Sequence, residues 1–340
     1  MSPLKKLSLV SGLAVAVIAT PAAQEPLNIK LATQVPTNSS WHKALTDMGA
    51  EWTAKTGARV KLTVYPGGTQ GDEESTIRLM RPGVDQLQAN LLTIGGLAHI
   101  DKAFNVFGMP FFFEDDAEMQ YVLTKLSPTL TPRLEAKGFK VLSWGSGGWV
   151  QLFSKEPIST LDGVKKAKLF TAKGDEAMVQ WYRTNGFNPV ALTINDIPAQ
   201  LRIPNGMINA APMPPYGAMV LQIFRDAKYV MDVRVAPLVG ALVVSNEAWN
   251  KISAADQAVM IASAKAFETT VNTKAPLQDA DSIATMKTRG LKVTSLDAKA
   301  LTEFRTAVEK MSASMKGTIV PADVYDMAQR ERDAYRKTKK

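Results

Sequence analysis

Two histidines, His42 and His99, are the chain's whole stock of imidazole. Neither stands at metal-ligand spacing from another donor, so both are expected to be structural or surface residues. Ser146 invites comparison with a hydrolase nucleophile elbow, but that turn needs glycine two residues earlier, where this chain has Trp144. Gly67-Gly68-Thr69-Gln70-Gly71 has neither the glycine spacing of a dinucleotide loop nor the Lys-Ser/Thr of a phosphate loop. Asp72, Glu73 and Glu74 suit the start of a helix, where the backbone dipole favours carboxylates, and Asp115-Asp116 reads the same way. With no cysteine in 340 residues, thiol catalysis, disulfides and Cys-ligated metal or iron–sulfur sites are excluded. No nucleophile–base pair or metal set is evident, which points to binding without catalysis and without a cofactor.

What the chain offers instead is apolar and aromatic material beside loops: Trp41, Phe111 to Phe113, Trp144, Trp149, Phe170 and the run Ala211-Pro212-Met213-Pro214-Pro215-Tyr216. The elements that must position these residues can be read from periodicity. Leu27, Ile29 and Leu31 alternate as a strand, and Trp41, Leu45, Met48 and Trp52 follow at helical spacing. Val60, Leu62 and Val64 alternate again, completing a β-α-β unit. A second unit comprises Lys168 to Thr171, a helix from Gly174 to Asn185, and a strand from Pro189 to Leu192. Two separated units predict two α/β domains. Gly145-Ser146-Gly147-Gly148 is permissive backbone where the chain could cross between them, and Leu238 to Val244 would form the return crossing. From Ala254 onward the pattern is mostly helical, interrupted at Gly290 to Val293.

A content of 46% hydrophobic and 21% charged residues describes a globular chain. Lys5 and Lys6 precede an apolar run from Leu7 to Ala19 that ends in Thr20-Pro21-Ala22-Ala23, the three parts of a secretory signal. Thirteen helical residues rise only about 20 Å against roughly 30 Å of hydrocarbon. Residues 1–22 therefore read as a signal peptide cleaved near Ala22 or Ala23. Their loss removes two lysines and lowers the net charge from +8 to +6. The remaining basic residues are dispersed apart from Arg336, Lys337, Lys339 and Lys340, which read as a solvated tail, so no nucleic-acid partner is expected.

Several segments in order resemble the solute-binding proteins of tripartite ATP-independent periplasmic (TRAP) transporters, the DctP-like family. They are Ile29-Lys30-Leu31-Ala32-Thr33, Thr56-Gly57-Ala58-Arg59-Val60 into Tyr65-Pro66-Gly67-Gly68, Met109-Pro110-Phe111-Phe112-Phe113, Lys155-Glu156-Pro157-Ile158, Asn185 to Val190, and Asn205-Gly206-Met207-Ile208-Asn209. The resemblance implies an α/β, two-lobed periplasmic-binding-protein-like fold with a hinge between the lobes and a long bracing helix. Lobe I would comprise residues 23–147 plus about 236–274, and lobe II residues 148–235 plus about 275–325, leaving 326–340 as the basic C-terminal tail. It further implies a periplasmic receptor that delivers a small organic solute to TRAP membrane permease subunits. A periplasmic enzyme (hydrolase or isomerase) using Asp72 or Glu73 as base, or a sensor-linked receptor, are the alternatives.

The departures from the family pattern bear on the solute. Relatives carry an arginine in the strand after the Pro-Ile segment, where its fork grips a substrate carboxylate; the corresponding residue here is Phe170. Where relatives place a polar contact after Asn209, this chain has Met213, and Asn90-Leu91-Leu92-Thr93 in the other lobe is largely apolar. The expected ligand-binding residues are Trp41, Glu73, Leu91, Leu92, Trp149, Lys168, Phe170, Met213, Pro214 and Tyr216, with Lys168 able to meet an anion as a point charge. A cleft of this composition suits a solute more apolar than a C4-dicarboxylate: an organic acid with an aromatic or branched body, or a lipid-like molecule. The pattern is also similar to a branch of the family linked to hydrophobic solutes and a periplasmic helper protein.

Overall fold

The structure, a computed structural model, describes residues 26–339; the expected signal peptide and its cleavage point lie outside them. The strands are β1 (Leu27–Thr33), β2 (Val60–Tyr65), β3 (Ala89–Thr93), β4 (Phe139–Ser154), β5 (Lys168–Ala172), β6 (Asn188–Leu192), β7 (Ala210–Met213), β8 (Tyr229–Met231), β9 (Ala236–Ser245) and β10 (Lys292–Thr294). Their order is β2-β1-β3-β9-β4-β7-β5-β6, with β8 pairing β4 and β10 pairing β8. The two sequence-read units form as parallel pairs. β1 lies on β2 with Leu27 opposite Val60, and β5 on β6 with Lys168 opposite Asn188. Between β1 and β2 the helix Ser40–Lys55 turns Leu45, Met48 and Trp52 into the core, and the Ser39 side chain caps it by accepting from the His42 amide.

β4 and β9 are the crossings. They pair antiparallel from Phe139 opposite Ser245 to Val150 opposite Ala236, running out of the lobe I sheet into lobe II. The ladder slips between Val141 and Ser143, at Leu142, and again between Ser146 and Trp149, at Gly147-Gly148, irregularities that bend a strand. Gly148 sits at φ +99°, and a Cβ there would fall 2.2 Å from Asp279 Oδ2, which leaves glycine as the residue that fits.

That carboxylate belongs to the helix Ala254–Thr288, 35 residues and about 50 Å long, which lies along both lobes. Its side chains satisfy the exposed edge of the crossing strand. Trp144 N donates to Glu268 Oε2 (3.3 Å), Ser146 N to Asn272 Oδ1 (2.7 Å) and Trp149 N to Asp279 Oδ2 (3.0 Å).

Two expectations about the C-terminal third change. Residues 326–338 are no solvated tail, because they continue the helix Ala322–Thr338, which buries Val324, Tyr325 and Ala328. Its basic face meets the acidic start of the helix Asp116–Glu135: Arg336 pairs with the buried Glu118, Lys339 with Asp115, and the Arg332 guanidinium lies 4.4 Å from the Phe112 ring centre. Arg336 and Lys339 of the charge cluster are thus matched by acids distant in sequence, which periodicity alone does not reveal. Likewise Met315, Ile319, Val320 and Tyr325 pack with Phe104, Phe107, Phe112 and Leu130 in the lobe I core, not with lobe II. No helix among the described residues is long and apolar enough to cross a membrane.

Candidate ligand-binding cleft

The C-terminal ends of the parallel strands face one another across the hinge, the position where open α/β sheets bind ligands. A cavity of about 230 Å³ lies there. Lobe I contributes Gln34 after β1, Trp41 at its helix start, Asp72 and Glu73, and Thr93 at the end of β3; lobe II contributes Phe170, Ala172, Lys173, Asp175, Met213 and Pro214. A second cavity of about 130 Å³ adjoins it, lined by Leu91, Leu92, Leu238, Val239, Phe267 and Val271 together with the glycine crossing. Gln34, Pro36, Trp41, Thr93, Ile194 and Leu238 line both.

The lobes touch around this space. Tyr216 of lobe II stands edge-on to Trp41 of lobe I, ring centres 4.8 Å apart, and its hydroxyl accepts from Ser40 N at 2.7 Å. Gln278 of the long helix donates to Ser40 Oγ (2.8 Å), and Asp279 accepts from Tyr216 N (3.0 Å) as well as from Trp149 N. At the rim, Asn195 Nδ2 of lobe II donates to Gly67 O of lobe I (2.7 Å).

Of the expected ligand-binding residues, the structure brings Trp41, Glu73, Leu91, Leu92, Phe170, Met213 and Pro214 to the two cavities. Tyr216 is set behind Trp41, within the lobe contact. Trp149 is 3% exposed, its indole donating to Asp116 Oδ1 (3.0 Å), and it lies behind the hinge away from the cleft. Lys168 is at the wrong end of its strand: Nζ donates to Gly206 O (3.0 Å) at the start of β5, whereas the cavity is at the finish. Alternation correctly groups Lys168 with Phe170 on one face, but distance along the strand separates them.

Lys173, one residue past β5, is the lysine that lines the cavity. Sequence reading missed it, along with Asp175, Gln34, Leu238 and the rim residue His99; the rule placing ligands at strand C-termini would have picked out Lys173 and Asp175.

Charge at the polar end is mixed. Glu73 is half-buried and its oxygens accept from Thr93 N and Thr93 Oγ1, both at 2.6 Å. Burial raises its carboxyl above the ordinary value, against the pull of the Thr93 and Gly96 donors and His99. Burial likewise raises Asp175, which caps the helix Glu176–Thr184 by accepting from Met178 N. Asp72 is held low despite partial burial, by hydrogen bonds from Ser75 and the nearby Lys173 charge. Among the described residues lining the larger cavity there is one lysine and no arginine. Trp41 Nε1 is buried without a hydrogen-bond partner.

The family model for DctP, bacterial extracellular solute-binding protein, family 7, matches residues 31–317. A solute-binding protein of Verminephrobacter eiseniae is 24% identical over 283 residues, 81% of each chain. The 2,3-diketo-L-gulonate-binding periplasmic protein YiaO of Escherichia coli is 25% identical over 191 residues, 55% of this chain. The chain spans 56% of YiaO and 64% of a Haemophilus influenzae relative that is 23% identical over 63% of this chain. The fold matches a TRAP periplasmic solute-binding protein from Chromohalobacter salexigens with bound D-glucuronate, at TM-score 0.80 and 21% identity, covering 90% of this chain and 99% of the other. The fold agrees with the family model over most of the length: the chain belongs to the DctP family of bacterial extracellular solute-binding proteins.

Proposed function

We propose that the protein is a periplasmic TRAP-type receptor, exported by the segment 1–22, that closes on a small organic solute more apolar than a uronate or a dicarboxylate and hands it to TRAP permease subunits. The observation that carries the solute class is the wall of the cleft, where Phe170 and Met213 stand and no lining residue is an arginine. The similar receptor from Chromohalobacter salexigens holds D-glucuronate, and YiaO is named for a diketogulonate; both are hydroxylated acids. Burying such a molecule strips water from its carboxylate and hydroxyls, and each needs a replacement partner at a cost of a few kcal/mol when none is supplied. Hydrocarbon walls supply none, and they favour a solute whose body is itself apolar. Lys173 leaves room for a single negative charge at the polar end, as a point charge and not a fork.

The test is native mass spectrometry of the cargo that co-purifies with the periplasmic protein, backed by a thermal-shift screen of organic acids, aromatics and lipids. A bound aromatic, branched or lipid-like molecule, with a matching rise in melting temperature, supports the reading. Retention of, and stabilisation by, uronates or dicarboxylates overturns it.

A further inference from the structure

Resting on that reading, we propose that the two adjoining cavities are one binding site with two compartments, and that the inner one behind Trp41 takes the hydrocarbon tail of a single-headed amphiphile. The compartments adjoin: Trp41, Ile194 and Leu238 are among the residues that line both. Their chemistry differs. The outer compartment carries Asp72, Glu73, Asp175 and Lys173, a place for one polar head. Among the described residues lining the inner one there is no ionisable side chain, and Leu91, Leu92, Val271 and Phe267 are among them.

Size sets the length of the tail. An apolar cavity of about 150 Å³ takes up benzene; the inner compartment holds about 130 Å³ and is not sealed. It therefore fits one phenyl ring or a short alkyl chain. An amphiphile lying across both compartments would bring its head beside Lys173 and pass its first carbons along Trp41, which the Tyr216 contact holds in place. The floor of the compartment includes Gly145, whose backbone is not in the left-handed region and whose added Cβ would meet nothing nearer than Val271 Cγ1 at 3.8 Å. A larger side chain there enters the compartment without breaking the strand, and valine is at home in a strand.

The probes are straight-chain monocarboxylates from propanoate to decanoate, titrated by calorimetry into wild type and Gly145→Val, with xenon on wild-type crystals as an independent probe of the cavity. The expected result is an affinity that rises about fourfold per methylene until the compartment is full. In Gly145→Val the rise should stop at a shorter chain than in wild type, and xenon should bind beside Leu91, Leu238 and Val271 in wild type. Affinity that is flat along the series, an identical profile in the variant, failure of every member to bind, or no xenon at that position overturns the proposal. The xenon arm decides even if the variant does not fold. None of these failures touches the receptor reading, which the native cargo decides separately.

Discussion

Phe170 occupies the third position of β5 with its side chain on the cleft wall, and the chemistry of that one residue divides the possible solutes. Phe170→Arg would put a planar guanidinium beside the cavity, at the cost of lost hydrocarbon contact. The expected outcome is at least a tenfold loss of affinity for the native cargo, with binding gained for small carboxylates; calorimetry with both probes checks it. Much of this site was legible before any coordinates, because the expected arginine position could be counted from Pro157-Ile158 and because Trp41 and Met213 border loops. The two failures share a cause. Alternation places Lys168 on the side of Phe170, and Trp149 stands beside the glycine loop, but a cleft at the strand ends also selects by position along the strand. Lys168 sits four residues before Ala172, the end that reaches the cavity.

At the scale of elements, the account turns on one contact between lobes. Tyr216→Phe keeps the ring against Trp41 but removes the partner of Ser40 N. A single buried hydrogen bond contributes about 1 kcal/mol net, so the variant is expected to populate the open form about fivefold more, read by fluorescence transfer between dyes on the two lobes. Asp279, which ties the crossing strand and Tyr216 to the long helix, adds a pH signature. Burial pushes its carboxyl up to about 6, opposed by the Tyr216 and Trp149 amides and by Arg234. A carboxyl raised in the folded state contributes stability that is complete below its unfolded value of 3.8 and is lost as pH rises through about 6. Between pH 5 and 7 that loss is about 1 kcal/mol. Urea titration should show Asp279→Asn lacking this part of the pH dependence. The β-α-β units and the crossing strands were readable from alternation and glycine placement, whereas this tie was not, since Asp279 and Trp149 are 130 residues apart.

For the whole molecule, opposing groups predict an optimum in mild acid. Asp279, pushed up to about 6 by burial, strengthens the fold as pH falls from 7 toward 5, and Glu73 and Asp175 are raised by burial in the same direction. Asp101 and Asp256 are held low, Asp101 by Arg133 against its own burial and Asp256 chiefly by Arg59. Their contribution is present above the ordinary carboxyl range and disappears as pH falls below it. The melting temperature is accordingly expected to rise from pH 7 toward 5 and to drop steeply below about 4; a monotonic fall from pH 7 downward would mean that the three buried carboxyls are solvated in solution. The overall architecture was the most legible level, because two separated β-α-β units predict two lobes and the family resemblance implies the hinge and the bracing helix. The C-terminal helix was the least, because its basic face is matched by Asp115 and Glu118 more than 200 residues away.

Phe170 lines the cleft at the position where an arginine fork would grip a carboxylate, so calorimetric titration of the wild-type protein with D-glucuronate is expected to give no saturable heat at millimolar ligand. Stoichiometric binding at micromolar concentration would contradict it.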